Sequence, residues 1–116
     1  MPGPYVHLHL HSEYSLLDST IRIPALVAAA AAAGMPAVAV TDESNLFALV
    51  KFYRAAEKAG IKPIAGCDAW VADPAGAPYR LTLLCQDRSG YRNLSVLLSR
   101  AYRERHGEHP IVRREW

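Results

Sequence analysis

The sequence predicts an α/β domain with elements in the order β-α-β-α-β-β-α. Three observations carry that expectation. Short apolar runs alternate with stretches of helical periodicity. Pro24, Gly34 and Gly60 stand where a helix starts or stops. The connections also have the length that a crossover between parallel strands requires.

At 116 residues the chain has room for one small domain or a piece of a larger one. Hydrophobic residues make up 51% and charged residues 21%, a globular balance rather than a disordered one. The net charge of +2 is too small to imply nucleic-acid binding by electrostatics alone. Cys67 and Cys85 sit in apolar, strand-like runs without CxxC spacing, so buried reduced thiols of a cytoplasmic protein are expected. Met1 to Pro4 has neither a charged nor an apolar targeting region. The longest apolar run, 23–40, is interrupted by Pro24, Gly34 and Pro36, which argues against a membrane span.

The first element expected is a strand over Tyr5–His11. Alternation would place Val6, Leu8 and Leu10 on one face and His7, His9 and His11 on the other. One histidine on such a face is ordinarily just a half-buried polar residue. Three in strict alternation point instead to a metal site, because neutral imidazole is the commonest protein metal ligand. Ser12 to Ser19 follows as a polar loop carrying Ser15 and Asp18. A helix is expected over Pro24–Ala33, and the small side chains of Ala28–Ala33 would let it lie close to a sheet. Met35–Thr41 is continuously apolar and reads as a buried parallel strand ending in Thr41-Asp42-Glu43. Ser44 or Asn45 would cap a second helix, Leu46–Ala59, stopped by Gly60.

Ile61–Val71 is expected as a third strand containing Asp68. Asp73-Pro-Ala-Gly76 is turn chemistry, and Tyr79–Cys85 makes a fourth strand. Gly90–Arg105 reads as an amphipathic helix with Leu94, Leu97, Leu98 and Ala101 on one side, and 106–116 as an irregular tail. In parallel α/β architectures the chemistry collects at the C-terminal ends of strands. His9, His11, Asp42, Glu43 and Asp68 all fall there, so one shared cleft is expected.

The blocks His9-Leu-His11, Ser15-Leu-Leu-Asp18, Thr41-Asp-Glu43, Asn45-Leu-Phe47, Lys51-Phe-Tyr53, Gly60-Ile-Lys-Pro-Ile64, Gly66-Cys-Asp68 and Gly90-Tyr-Arg-Asn-Leu94 occur in this order. Together they resemble the N-terminal PHP (polymerase and histidinol phosphatase) domain of proteobacterial DNA polymerase III α subunits. The resemblance runs from Tyr5 to Trp116. It implies a partial PHP-type distorted βα barrel, with residues 5–105 as its core and 106–116 as a tail. The palm, fingers and thumb of the parent DNA-directed DNA polymerase, a nucleotidyltransferase, would lie outside this chain.

The resemblance also implies a ligand set. The family's HxH pair falls on His9 and His11, and its acidic residue after the first loop falls on Asp18. The Asp-His pair after the second strand falls on Asp42 and Glu43, so the histidine is replaced. The third-strand carboxylate, usually glutamate, is Asp68. A further histidine position is held by Arg80, which has no lone pair to offer a metal. A guanidinium there would repel cations and pair with Asp42, Asp68 or Glu43.

The implied site is therefore a decayed one, holding zinc, manganese or magnesium weakly or no metal at all. The implied role is a scaffold for the proofreading exonuclease subunit within the polymerase III holoenzyme, with DNA met through the parent protein and no membrane involved. The alternative is a metal-dependent phosphoesterase acting on phosphate esters or 3′ ends, through adjacent metals that activate water. Direct DNA binding is the weakest reading. Arg100, Arg103, Arg105, Arg113 and Arg114 interleave with Glu104, Glu108 and Glu115, as on a solvated helix face.

Overall fold

The computed structural model describes residues 5–15, 19–105 and 107–116. The chain forms α1 (Ile23–Ala32), β1 (Ala37–Glu43), α2 (Leu49–Ala59), β2 (Lys62–Val71), β3 (Tyr79–Leu84), α3 (Arg88–Arg103) and β4 (Ile111–Val112). β2 is the centre of the sheet. It runs parallel to β1 from Ala37↔Lys62 to Glu43↔Asp68, and antiparallel to β3 from Gly66↔Leu84 to Val71↔Tyr79. β4 adds to the far end of β2, in parallel, through Trp70↔Ile111 and Val71↔Val112. The tail expected to be irregular therefore contains a short strand, with Val112 buried against Ala69 and Ala101. Among the described residues no helix is long and apolar enough to cross a membrane.

The predicted first strand does not form as a strand. Residues 5–12 run extended beside β1, but the two chains are out of step. The His7 carbonyl accepts from Ala39 N–H at 2.9 Å and the Leu10 carbonyl from Thr41 N–H at 2.8 Å. Three residues of the segment thus span two of β1, and Leu10 N–H turns to the Thr41 hydroxyl at 2.9 Å instead of to a carbonyl. With the ladder broken, the expected alternation fails too. Leu8 is exposed, and His7 packs edge-on against Tyr5 rather than joining the other two histidines.

A buried carboxylate anchors this segment. Asp42 accepts from Ser12 N–H at 2.6 Å, from the Ser12 hydroxyl at 2.7 Å and from the Ser15 hydroxyl at 2.9 Å. Ser15 closes a single 3₁₀ turn, Glu13–Ser15, and its oxygen also accepts from Glu43 N–H at 3.1 Å. All three of these hydrogen bonds tie Asp42 to the histidine-bearing loop.

The core lies on the helix side of the sheet. Val38 and Val40 of β1 meet Ile23, Val27 and Ala30 of α1 and Phe52 and Ala56 of α2. Cys67 of β2 meets Leu94 and Leu98 of α3. Both crossover helices stop where the glycines predict: Gly34 and Gly60 take φ of 74° and 76°, the left-handed region that glycine enters without a Cβ penalty. Two helix expectations change. The alanine tract of α1 is mostly exposed, and α1 rests mainly on α2 rather than on the sheet. α2 begins at Leu49, behind an Ala48 cap with no side-chain bond, because Asn45 is used elsewhere. Its amide donates to the carbonyls of Tyr14 and Glu43, and its Oδ1 accepts from Phe47 N–H at 3.1 Å, closing a local turn. α3 starts two residues earlier than expected, because Asp87 accepts from Gly90 N–H at 2.9 Å.

Gly66 is the tightest point of the sheet. A Cβ there would lie 2.6 Å from the Leu83 carbonyl oxygen and 3.0 Å from Thr41 Cγ2, and the first of these is backbone that cannot step aside. Gly66→Ala is expected to destabilise the fold by about 1–3 kcal/mol, read as a lower chemical-denaturation midpoint. Asp42→Ala leaves three buried donors without an acceptor, so a loss of at least about 2 kcal/mol is expected in the same assay.

Cys67 supplies a pH signature. Burial pushes its thiol up to about 12, helped by the Asp68 and Asp42 carboxylates and opposed by backbone N–H groups of Ser44 and Asn45. Its folded value lies above the unfolded one, so the neutral thiol contributes stability that is complete below pH 9.0 and is lost as pH rises towards 12. The loss approaches about 1.4 kcal/mol per pH unit within that window. Cys67→Ala should remove this part of the alkaline slope, as measured by denaturation across the same pH range.

Candidate metal centre

Strand alternation sorts the predicted acidic residues onto two faces. Asp42 pairs in register with Cys67 and points to the helix side, while Glu43 pairs with Asp68 and shares the opposite face. The shared-cleft expectation therefore holds for Glu43 and Asp68, whereas Asp42 serves the serine network described above. Asp18 lies outside the described residues.

On the opposite face three donors converge. Nε2 of His9 and Nε2 of His11 donate to Asp68 Oδ2 at 3.1 and 2.9 Å. These atoms all lie within 4.8 Å of one another, and no other group of three or more His, Cys, Asp or Glu side chains is so placed among the described residues. The two imidazole rings stand edge-to-face, their centroids 5.4 Å apart. Asp68 is buried, with only 2% of its side chain exposed. Burial alone raises its carboxyl, but hydrogen bonds from His9 and His11, together with their charge, outweigh it and hold the group below its ordinary value. Thr82, directly opposite Asp68 on β3, adds a long contact from its hydroxyl to Oδ1 at 3.4 Å.

Two imidazoles and one carboxylate are a donor set that suits zinc and related divalent ions. The spacing fits three ligands of a single ion. Metal ligation would require each Nε2 to be free of a proton and to turn its lone pair to the ion instead of to Asp68.

Arg80 is the fourth participant. It sits across from Trp70 in the β2–β3 register. Its Nη1 lies 3.5 Å from Asp68 Oδ2 and its Nη2 lies 3.2 Å from Glu43 Oε1. Of the carboxylates it was expected to meet, it reaches Asp68 and Glu43 but not Asp42. The oxygen that would face a metal is thus shared by two histidines and one permanent cation. Glu43 is likewise committed, since its Oε1 also accepts from the Trp70 indole N–H at 2.9 Å.

Two residues near the site had escaped the sequence reading. Trp70 lies two positions after Asp68, so strand alternation alone would have put it on the same face. His109 stacks on the Trp70 ring at 4.5 Å with a 19° interplanar angle, and nothing local in the sequence signals that contact.

Known proteins resemble this chain at two levels, sequence and fold. A model of the PHP domain family matches residues 7–116. A Pseudomonas fluorescens protein named DNA polymerase III subunit alpha is 52% identical over 120 residues, covering 100% of this chain and 10% of its own length. The proteins of that name from Xylella fastidiosa (strain 9a5c) and Escherichia coli (strain K12) are 51% and 48% identical, over 88% and 97% of this chain and 10% of each relative. The chain thus spans about a tenth of the length of these relatives.

Among solved structures, a Bifidobacterium adolescentis protein assigned as a metal-dependent phosphoesterase superposes with a TM-score of 0.63 at 20% identity, over 86% of this chain and 33% of its own. A Chromobacterium violaceum amidohydrolase gives 0.58 at 21%, over 84% of this chain and 36% of its own. The likeness to these two is one of fold. With the family pattern matched from residue 7 to residue 116, the chain belongs to the PHP domain family.

Proposed function

We propose that this chain is the N-terminal PHP segment of a bacterial replicative DNA polymerase III α subunit, working in the cytoplasm as a non-hydrolytic scaffold for the proofreading exonuclease subunit. The identity of about half the residues to α subunits supports the parentage. The observation that carries the non-hydrolytic reading is the Arg80 guanidinium at 3.5 Å from the Asp68 oxygen that both histidines share. Polymerisation itself, with its substrates and DNA contacts, belongs in this reading to the remainder of the parent protein.

His9, His11 and Asp68 would hold a zinc, manganese or magnesium ion if one bound. Such an ion would supply Lewis acidity and an activated water. This chain's own residues oppose that outcome. Arg80 neutralises Asp68 without a metal, Glu43 is held by Arg80 and Trp70, and Asp42 is turned to the other face. A second ion adjacent to the first finds no uncommitted carboxylate among the described residues. Among the described residues, hydrolysis that relies on paired metals therefore finds no second ligand set.

The competing reading is a metal-dependent phosphoesterase, and the His9–His11–Asp68 convergence is the observation that favours it. The two diverge in one experiment. The full-length protein containing this segment is purified without chelator, beside a His9→Ala/His11→Ala variant, and zinc, manganese and iron are quantified in both. The scaffold reading expects the same metal content in both. It also expects exonuclease binding that survives the double substitution and added chelator, and no histidine-dependent cleavage of a generic phosphodiester with manganese. Near-stoichiometric metal that disappears in the variant, with cleavage activity lost alongside it, would replace the scaffold reading by the phosphoesterase one.

A further inference from the structure

Arg80 is an unlikely fixture by its own means. It lies on β3, 41% of its side chain is exposed, and an arginine so placed has many rotamers and gains little from a solvent-screened ion pair. Yet its guanidinium meets Asp68 and Glu43 at once. The structure shows what confines it. The guanidinium carbon lies over the Trp70 ring, 4.9 Å from the centroid, so the aromatic face attracts the cation from one side. The indole N–H donates to the same Glu43 oxygen, Oε1, that faces Arg80 Nη2. Trp70 therefore fixes both Arg80 and the carboxylate that Arg80 pairs with. Its own ring is seated by the stacked His109 ring, carried one residue before Pro110 and two before β4.

We propose that Trp70 is a positioning residue that holds the Arg80 guanidinium on Asp68, and that the His109–Trp70 stack couples this closure to docking of the β4 tail on β2. Cation access to His9, His11 and Asp68 is then governed by a contact outside the donor set. The inference rests on the reading above, in which Arg80 competes with a cation for Asp68.

Zinc alone is the probe, and affinity is the readout. The full-length protein is titrated with zinc against a chelating indicator, and a His9→Ala/His11→Ala variant defines the background from every other site. Arg80→Ala is expected to tighten zinc binding at this site. Trp70→Leu is expected to tighten it by about two- to thirtyfold, the range that loss of a cation–π contact of about 0.5–2 kcal/mol corresponds to. In the Arg80→Ala background Trp70→Leu should add nothing, because no guanidinium remains to be held.

His109→Ala should shift affinity in the same direction by less. Trp70→Phe, which keeps an aromatic face but loses the N–H to Glu43, should fall between wild type and Trp70→Leu. Should Trp70→Leu not fold, these last two variants decide the matter, and wild-type affinity in both overturns the proposal. Tightening by Arg80→Ala with none from Trp70→Leu overturns the positioning role and leaves the competition reading intact. No tightening by Arg80→Ala overturns both.

Discussion

The functional face of this protein is built around one buried negative charge. A carboxylate with almost no solvent contact must be compensated, and the chain has two chemically different ways of doing so at Asp68. One is imidazole N–H donation from His9 and His11, which leaves open a later exchange of protons for a metal. The other is the permanent charge of Arg80, which leaves nothing to exchange. Both are present on the same oxygen. The convergent donor geometry coexists with an internal cation that meets the same charge.

The second buried carboxylate shows how strand geometry divides labour between neighbours. Asp42 and Glu43 are adjacent in sequence but face opposite sides of the sheet. Asp42 spends its acceptors on Ser12 and Ser15 and thereby fixes the turn that leads into and out of His11. Glu43 joins Arg80 and Trp70 on the other side. One carboxylate shapes the support of the site, while its neighbour restrains the cation beside it. A change at either would reach the histidines by a different route, one through the backbone and the other through charge.

Much of this was legible in the sequence. Pro24, Gly34 and Gly60 marked helix boundaries correctly because those residues act through local backbone geometry. The apolar runs of β1 and β2 gave the parallel pair, and His9, His11 and Asp68 were marked by residue type and position at segment ends. The failures have a common cause, which is dependence on partners distant in the chain. The Tyr5–His11 segment had a strand's alternation, but its ladder is broken by a Thr41 hydroxyl that captures a backbone N–H. Asp42 and Glu43 are neighbours in sequence, and only the β1–β2 register shows which of them shares a face with Asp68. Arg80 was expected to pair, yet its choice of Glu43 and Asp68 required the β2–β3 register, and the His109 stack required the fold of the tail.

The crowding at Gly66 has a meaning beyond local fit. Side chains on β2 alternate, so a slip of one residue against its neighbours would send Asp68 to the helix side and bring Cys67 to the imidazoles. Such a slip would also place Ala65 or Cys67 opposite Thr41 and the Leu83 carbonyl, where even a Cβ does not fit. Only the native alignment puts a residue without a side chain into that gap. The glycine therefore acts as an indexing notch: it counts the strand into place, and the chemical identity of the face two residues further on depends on that count.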